Sequence, residues 1–432
     1  MMNKPTENVR VLEIKLFDVC VGFLAGYQDG KNIFTFAHEY INLDQTDRPT
    51  LSLRYYEQPA NVFRKLLISN HKLPALFSNL LPEGELREYF VRTLKIHTDH
   101  DFAMLSFLGR DLPGAITAKE LTKDEVPPYA LNNSAKVKPC IKTGITKEDN
   151  HFSLSGILMK FSMYEKNDDF FITKSKNIGN WIIKIPSTRF SFVPLNEYTC
   201  MQLAKSVGID IPEIRLVKLK HIKGLPDIKI PDEQYAYAIK RFDRDSINNR
   251  IHTEDFAQIF DLYPAEKYGR TNYDTMARTI YKVFPNAISD IQEFVARLVV
   301  NIMIGNGDAH LKNWSVIYPD KINPHLSPAY DIVFTHAYIE NDNSLALNLG
   351  KEKKTFALTL DHFKHLAKRA GIDWRVIKKR VIETIQNAKE NWRGILDDLP
   401  MHDSHKQKMK EYWKMLTPDF RICEKKGSHL NY

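Results

Sequence analysis

The hydrophobic period of this chain changes along its length, and the order of the changes restricts the fold more than any single residue does. Between residues 151 and 245 apolar residues fall in short strand-like runs: Phe152–Phe161, Phe170–Lys174, Trp181–Ile185, Ile214–Leu219 and Tyr235–Phe242. One helical stretch, at about Leu195–Val207, interrupts them. From Glu254 onward the spacing is mostly helical, and the best helix is about Ala287–Met303. Strand-like pieces Trp314–Tyr318 and Ala329–Phe334 follow it, and the tail returns to helices. Gly371 ends one of these and Asp373 caps the next, whose Trp374, Ile377, Val381, Ile385 and Ala388 share a face.

Upstream of this core, residues 9–60 alternate apolar and polar over short stretches such as Val9–Phe17 and Asn32–Phe36, with a turn signal at Asp29-Gly30. That pattern predicts a small antiparallel sheet. From Val62 to Leu108 the period is helical, broken by Pro82 and Gly84, with Asp99 or Asp101 as cap of a helix through Phe102, Leu105 and Leu108. Lys, Pro and Asn crowd the weakly periodic segment Glu120–Lys147, which reads as a linker. The expected organisation is therefore an N-terminal subdomain at 1–120, a linker at 121–150, a β-rich part at 151–245 and a helical part at 246–432. A β-rich lobe followed by a helical lobe, with acids on the loops, is an α+β arrangement suited to holding a nucleotide.

A chain of 432 residues is too long for one ordinary core. Its 43% hydrophobic and 26% charged content is that of a globular protein. The first residues lack the apolar core of a signal peptide, and no apolar run is long enough to span a bilayer. The expectation is a cytoplasmic protein with no membrane partner. Cys20, Cys140, Cys200 and Cys423 lie far apart and form no C-x-x-C pair, so they read as free thiols rather than a zinc site or a disulfide framework. The net charge is +8, and residues 351–432 carry all of it, with 19 Lys and Arg against 11 Asp and Glu. Such an excess is either a set of solvated helix faces or a surface that meets a polyanion such as DNA.

The most informative segment is NGDAHLKN, residues 306–313, in which Asp308 and Asn313 stand in a D-x-x-x-x-N spacing. Phosphoryl transfer needs a carboxylate to orient the attacking hydroxyl and accept its proton, with oxygen ligands for Mg²⁺ beside it. The plainer alternative is a turn after a helix. A second acid, Asp331 in SPAYDIV, lies beyond a strand–turn–strand pattern, where a further Mg²⁺ ligand could sit. Lys184, flanked by Ile183 and Ile185, is either a strand-edge lysine facing water or the lysine that meets the α/β-phosphates. Glu197 falls near the start of a helix on the same face as Met201 and Ala204. An acid on an apolar face wants a cation, and Lys184 is the candidate; an acid favoured by the helix dipole is the competing account. SLSG, residues 153–156, holds Ser153, Ser155 and Gly156 ahead of Lys160 and makes a weak phosphate loop.

Taken in order, these pieces resemble the HipA family of toxin kinases over nearly the whole chain. LLPEGELRE (80–88) and FLGRDLPGAI (107–116) resemble that family's first subdomain. FSLSG with Lys160, WIIKIP, NEY (196–198), KRFDR (240–244), IHTEDFAQ (251–258), KYG (267–269), IGNGDAHLKNWS (304–315) and LSPAYDIV (326–333) follow in family order. The resemblance implies a protein-kinase-like bilobal α+β fold, with ATP and Mg²⁺ as cofactors. Asp308 would be the base, Asn313 and Asp331 the Mg²⁺ ligands, and Lys184 the phosphate contact. KRFDR would form the adenine-side hinge around Lys240 and Phe242, and Ser153, or its neighbour Ser155, would be autophosphorylated. The implied target is a protein serine, in the family's known cases on an aminoacyl-tRNA synthetase. The implied partner is a HipB-like helix-turn-helix antitoxin that binds operator DNA. The sequence departs from the family pattern at Leu158, Lys240 and Ser155.

Two further readings compete. Gly307, Asp308, His310 and Asn313 also fit the G-D-x-H-x-x-N pattern of small-molecule phosphotransferases such as aminoglycoside and choline kinases, with His310 at the nucleotide side. A non-enzymatic corepressor that stabilises an antitoxin on DNA would use the basic C-terminal part.

Overall fold

The computed structural model describes residues 7–97, 100–131, 135–137, 159–173, 179–247, 249–339 and 343–423. It separates into two compact units that are discontinuous in sequence. Unit 1 comprises Met1–Ser187, Val217–Lys267 and Ser315–Ser327; unit 2 comprises Thr188–Leu216, Tyr268–Trp314 and Pro328–Tyr432.

Unit 1 contains the expected N-terminal sheet. Strands Leu67–Asn70, Lys31–Phe36, Val19–Tyr27, Glu7–Leu16 and Ile116–Glu120 lie side by side in that order, each antiparallel to its neighbour. Ala135–Val137 runs parallel to the start of Glu7–Leu16. The turn at Asp29-Gly30 forms because Gly30 adopts a φ of 87°, while the Asp29 carboxylate accepts the Lys31 amide at 2.9 Å. The helical period after residue 62 resolves into Gly84–Leu94 and Asp101–Leu108, with a strand at 67–70 before them. Asp101 does not cap its helix; His100 holds that position without a side-chain bond. The buried Asp101 carboxylate instead pairs with Arg87 and accepts the Ser78 hydroxyl at 3.0 Å. An acid on a helix's first turn is electrostatically welcome whether or not it caps, so a cap signal in the sequence does not separate the two.

The second sheet of unit 1 joins Tyr235–Lys240, Trp181–Lys184, Lys160–Lys166, Asp169–Ile172 and Ile222–Lys223 in that order. Trp181–Lys184 is thus an interior strand, and Lys184 is not the edge lysine that alternation allowed. It is 7% exposed. A third sheet pairs His252–Asp255 with Ser315–Tyr318, and the latter with His325–Leu326. The strand expected over Ala329–Phe334 does not form. Asp331 sits at φ 54°, and a left-handed residue cannot continue a strand.

Unit 2 is built on Ala287–Ile304, whose last eleven residues, from Phe294 onward, are all buried. Trp374–Asp398 and Tyr273–Val283 pack against it. The predicted punctuation of the tail is present: Gly371 ends Leu360–Ala370 at φ 77°, and the Asp373 carboxylate accepts the Arg375 amide at 2.9 Å. Ile377, Val381, Ile385 and Ala388 are buried and Trp374 is half-buried, as the helical spacing requires. The Trp392 indole donates to the Leu203 carbonyl at 3.0 Å, fixing Trp374–Asp398 against Val193–Ser206.

Two buried polar clusters hold unit 1 together. In the first, Arg241 and Arg244 share two carboxylates. Asp111 accepts from them at 3.0 and 3.1 Å, and Asp243 accepts from each at 2.8 Å and from the Gly114 amide at 2.8 Å. Burial opposes the charge on Asp243, but Arg241 and Arg244 outweigh it and hold its carboxyl well below the usual range. In the second, Glu254 accepts the Leu53 amide at 2.6 Å and the Tyr318 hydroxyl, while His252 meets the Leu51 carbonyl at 2.9 Å. Here burial wins, pushing the Glu254 carboxyl up to about 7 against the pull of its hydrogen bonds.

A carboxyl raised in the folded state stabilises the fold fully below its ordinary value of 4.5, and that stabilisation is lost as pH rises through about 7. Glu254→Gln keeps an oxygen to accept both bonds and removes the charge. We expect it to melt above the wild type at pH 8, by up to about 3 kcal/mol, and the gap to shrink toward pH 5. Parallel melting curves across that range would show that Glu254 does not titrate there.

Candidate active site

The loop after Ala287–Ile304 is fixed atom by atom. Gly305 ends the helix at φ 76°, and its amide donates to the Asn301 and Ile302 carbonyls. A side chain at this position would meet the Tyr412 ring at 2.8 Å. The Tyr412 hydroxyl donates to the Ile302 carbonyl at 2.7 Å and the Trp413 indole to that of Met303 at 2.8 Å, so the helix Asp403–Met415 fastens the helix end. The buried Asn306 donates to Asn301 Oδ1 at 2.7 Å and accepts the Asp308 amide at 3.1 Å. Thr335 accepts the Gly307 amide at 2.8 Å and donates to the Gly305 carbonyl at 3.1 Å. The Ala309 carbonyl receives the Tyr273 hydroxyl at 2.9 Å and the Trp314 indole at 3.1 Å. Burial raises the Tyr273 hydroxyl well above its usual value, which keeps it a neutral donor.

This scaffold sets out the predicted residues. The Asp308 side chain is 44% exposed. Asn313 ends a short 3-10 turn, Leu311–Asn313, and donates through Nδ2 to the Asp308 carbonyl at 2.8 Å. That bond leaves the amide oxygen as the atom able to meet a cation. Asn313 and Asp331 line one concave cavity together with Asn306, Ala309, Tyr330 and Ile332. One carboxylate and one amide oxygen, completed by phosphate oxygens and water, is a donor set that suits Mg²⁺. His310 is buried, with Nε2 3.9 Å from Asp308 Oδ1, beyond hydrogen-bond reach. Tyr268 brings its ring edge-on to His310, with centroids 5.0 Å apart, and its hydroxyl donates to Asp308.

Glu197 is 1% exposed on Val193–Ser206, with Met201 and Ala204 buried on the same helix as expected. Its neighbour Asn196, quoted in the NEY motif but given no role there, clamps the segment that follows Asp331. Asn196 Oδ1 accepts the Phe334 amide at 3.0 Å, and Nδ2 donates to the Phe334 carbonyl at 3.1 Å and to Tyr338 Oη at 3.0 Å. Asn306, inside the NGDAHLKN segment, and Thr335 were likewise given no supporting role: in a sequence they are ordinary turn residues.

In unit 1 the structure pairs two of the predicted cations. Lys160 and Lys184 are directly opposite one another on antiparallel strands, so their side chains share a face. Like charges in that relation are unfavourable unless an anion joins them. Lys184 also lies 5.6 Å from the ring centroid of Tyr237. Lys240 is exposed and Phe242 half-buried at the end of Tyr235–Lys240, while the arginines of the same KRFDR segment are buried in the charge cluster. Ser153, Ser155 and Gly156 lie outside the described residues, as does Cys140.

The excess positive charge of the tail is partly consumed inside unit 2. In the Lys378–Arg380 cluster, Arg380 donates to the Gly208 carbonyl at 2.6 Å and pairs with Glu293 at 3.4 Å. Lys408 donates to the Ala337 carbonyl at 2.9 Å, and Arg369 pairs with Asp274 at 2.8 Å. No helix among the described residues is long and apolar enough to cross a membrane.

Known proteins resemble this chain over most of its length. The HipA N-terminal domain matches residues 12–119 and the HipA-like C-terminal domain matches residues 152–392. A Sinorhizobium fredii protein named as a candidate kinase, Y4dM, is 38% identical over 396 residues, covering 91% of this chain and 94% of that protein. The serine/threonine-protein kinase toxin HipA of Shewanella oneidensis is 23% identical over 318 residues, covering 66% of this chain and 68% of that protein. The solved complex of Shewanella oneidensis HipA, HipB and operator DNA matches at a TM-score of 0.67 and 19% identity, covering 94% of this chain and 95% of that one. The fold is therefore α+β and kinase-like, and the chain belongs to the HipA family of kinases.

Proposed function

We propose that this chain is a serine/threonine protein kinase that transfers the γ-phosphoryl group of ATP to a protein serine. The observation that carries the reading is the grouping of Asp308, Asn313 and Asp331 around one rigidly hydrogen-bonded turn. Asp308 accepts a hydrogen bond from the acceptor hydroxyl and takes its proton as the oxygen–phosphorus bond forms. Asn313 and Asp331 would hold Mg²⁺, which neutralises phosphate charge when bound. Lys160 and Lys184 serve the phosphates, and Lys240 and Phe242 the adenine edge. Ser153 or Ser155 is the proposed site of autophosphorylation.

The family relative in the HipA–HipB–operator complex suggests the setting. We assign this chain a helix-turn-helix antitoxin partner of the HipB kind, operator DNA reached through that partner, and a target protein of the aminoacyl-tRNA synthetase class. Growth inhibition through translation would follow from such a target.

Three outcomes test the assignment. Asp308→Ala and Asp331→Ala should each lower phosphoryl transfer by about a thousandfold with unchanged melting. Near-wild-type turnover in either variant removes that residue from its role, and phosphate found on an added aminoglycoside or choline instead of protein removes the protein-kinase reading. Asn196→Ala should raise the Mg²⁺ concentration needed for half-maximal rate, because the Asp331–Phe334 segment loses its clamp. A rate that falls without any change in Mg²⁺ dependence would leave Asn196 a purely structural part. Finally, replacing Lys378 and Lys379 by Gln should reduce the salt slope of operator binding by the antitoxin complex by about two units; an unchanged slope marks these lysines as solvated.

A further inference from the structure

We propose that Tyr268 determines acceptor specificity: its hydroxyl holds the position on Asp308 that an acceptor hydroxyl takes, and so keeps water from it. The inference rests on Asp308 being the proton-accepting carboxylate. The Tyr268 hydroxyl donates to Asp308 Oδ1. Its ring stands edge-on to His310 at 82°, and His310 is itself buried and tied into the turn through its backbone amide, 2.7 Å from the Asp308 carbonyl. The ring therefore has a fixed wall on one side.

Tyr268 is 43% exposed, one of few large hydrophobic residues so placed among the described residues. The next residue, Gly269, takes a φ of 80°, and a side chain built there would meet nothing within 4 Å. A hydroxyl on a side chain this exposed is within reach of an arriving acceptor that competes for Asp308. A phenolic hydroxyl and a serine hydroxyl are donors of one class, each offering a single O–H to the carboxylate.

An arriving serine displaces the phenol and donates to Asp308. Its oxygen bonds to the γ-phosphorus, the bond from that phosphorus to the β,γ-bridging oxygen breaks, and the electron pair leaves with ADP. The serine proton ends on Asp308. Water, smaller and without the contacts of a protein acceptor, meets an occupied carboxylate and competes poorly.

Tyr268→Phe keeps the ring against His310 and removes only the hydroxyl. With ATP and Mg²⁺ but no acceptor, release of inorganic phosphate should rise about tenfold, the worth of one hydrogen bond to a charged group. With dephosphorylated casein as acceptor, KM should fall several-fold while kcat stays within about twofold. Unchanged phosphate release, a fall in kcat at constant KM, or phosphotyrosine at position 268 of the wild type would each overturn the proposal. Asp308→Asn separates the two levels. Retained transfer in that variant defeats the assignment of the base, whereas its loss beside unaltered Tyr268→Phe kinetics defeats the role of Tyr268 alone.

Discussion

Four buried charges set the frame of unit 1. Arg241, Arg244, Asp111 and Asp243 are 2 to 6% exposed, and each arginine meets both carboxylates. Removing charges from water costs several kcal/mol per ion, roughly, and only good geometry with further hydrogen bonds repays it. The repayment comes from the Gly114 amide and from the Ser162 hydroxyl, which accepts from Arg241 at 3.0 Å. Since any one partner left alone would be a buried bare charge, the segments that carry them cannot shift separately. Asp111 belongs to the stretch matched by the N-terminal family domain, and the other three belong to the C-terminal one. The ionic cluster therefore makes one packed body out of parts of two sequence domains.

That joining is the kind of fact a sequence conceals. Local order was legible because period and punctuation are local: the N-terminal strands, the helix at Ala287–Ile304, and the Gly371 stop with its Asp373 cap all follow from neighbours a few residues apart. Asp111 and Arg241 stand 130 residues apart in the chain, and nothing in the spacing of either marks the other. Contiguous boundaries at 120, 150 and 245 record changes of composition and period, whereas the compact units follow contacts of this long-range kind.

The site divides in the same way. Asp308 and Asn313 could be read because the D-x-x-x-x-N spacing is itself the geometry: one turn brings the amide back to the aspartate carbonyl. Asp331 was identified as an acid but given the wrong backbone. Its left-handed φ is imposed by surroundings such as Asn306, which donates to its carbonyl at 3.3 Å. The supports, Asn196, Asn306 and Thr335, were given no role because each works mainly through backbone groups that any residue could supply. Lys160 and Lys184 were each named, but their cross-strand register appears only once the sheet is assembled.

The fastening of Gly305 by Tyr412 and Trp413 has a consequence for the order of synthesis. The ribosome makes the chain from its N-terminus, so the loop bearing Asp308 emerges well before the helix that fixes the end of Ala287–Ile304. Until residues 412 and 413 are added, a nascent chain owns every acid and amide of the candidate site and lacks both the ring that closes over Gly305 and the indole that holds the Met303 carbonyl. Translation that stalls short of that point leaves a polypeptide with its candidate residues all present and the turn around Asp308 unfastened.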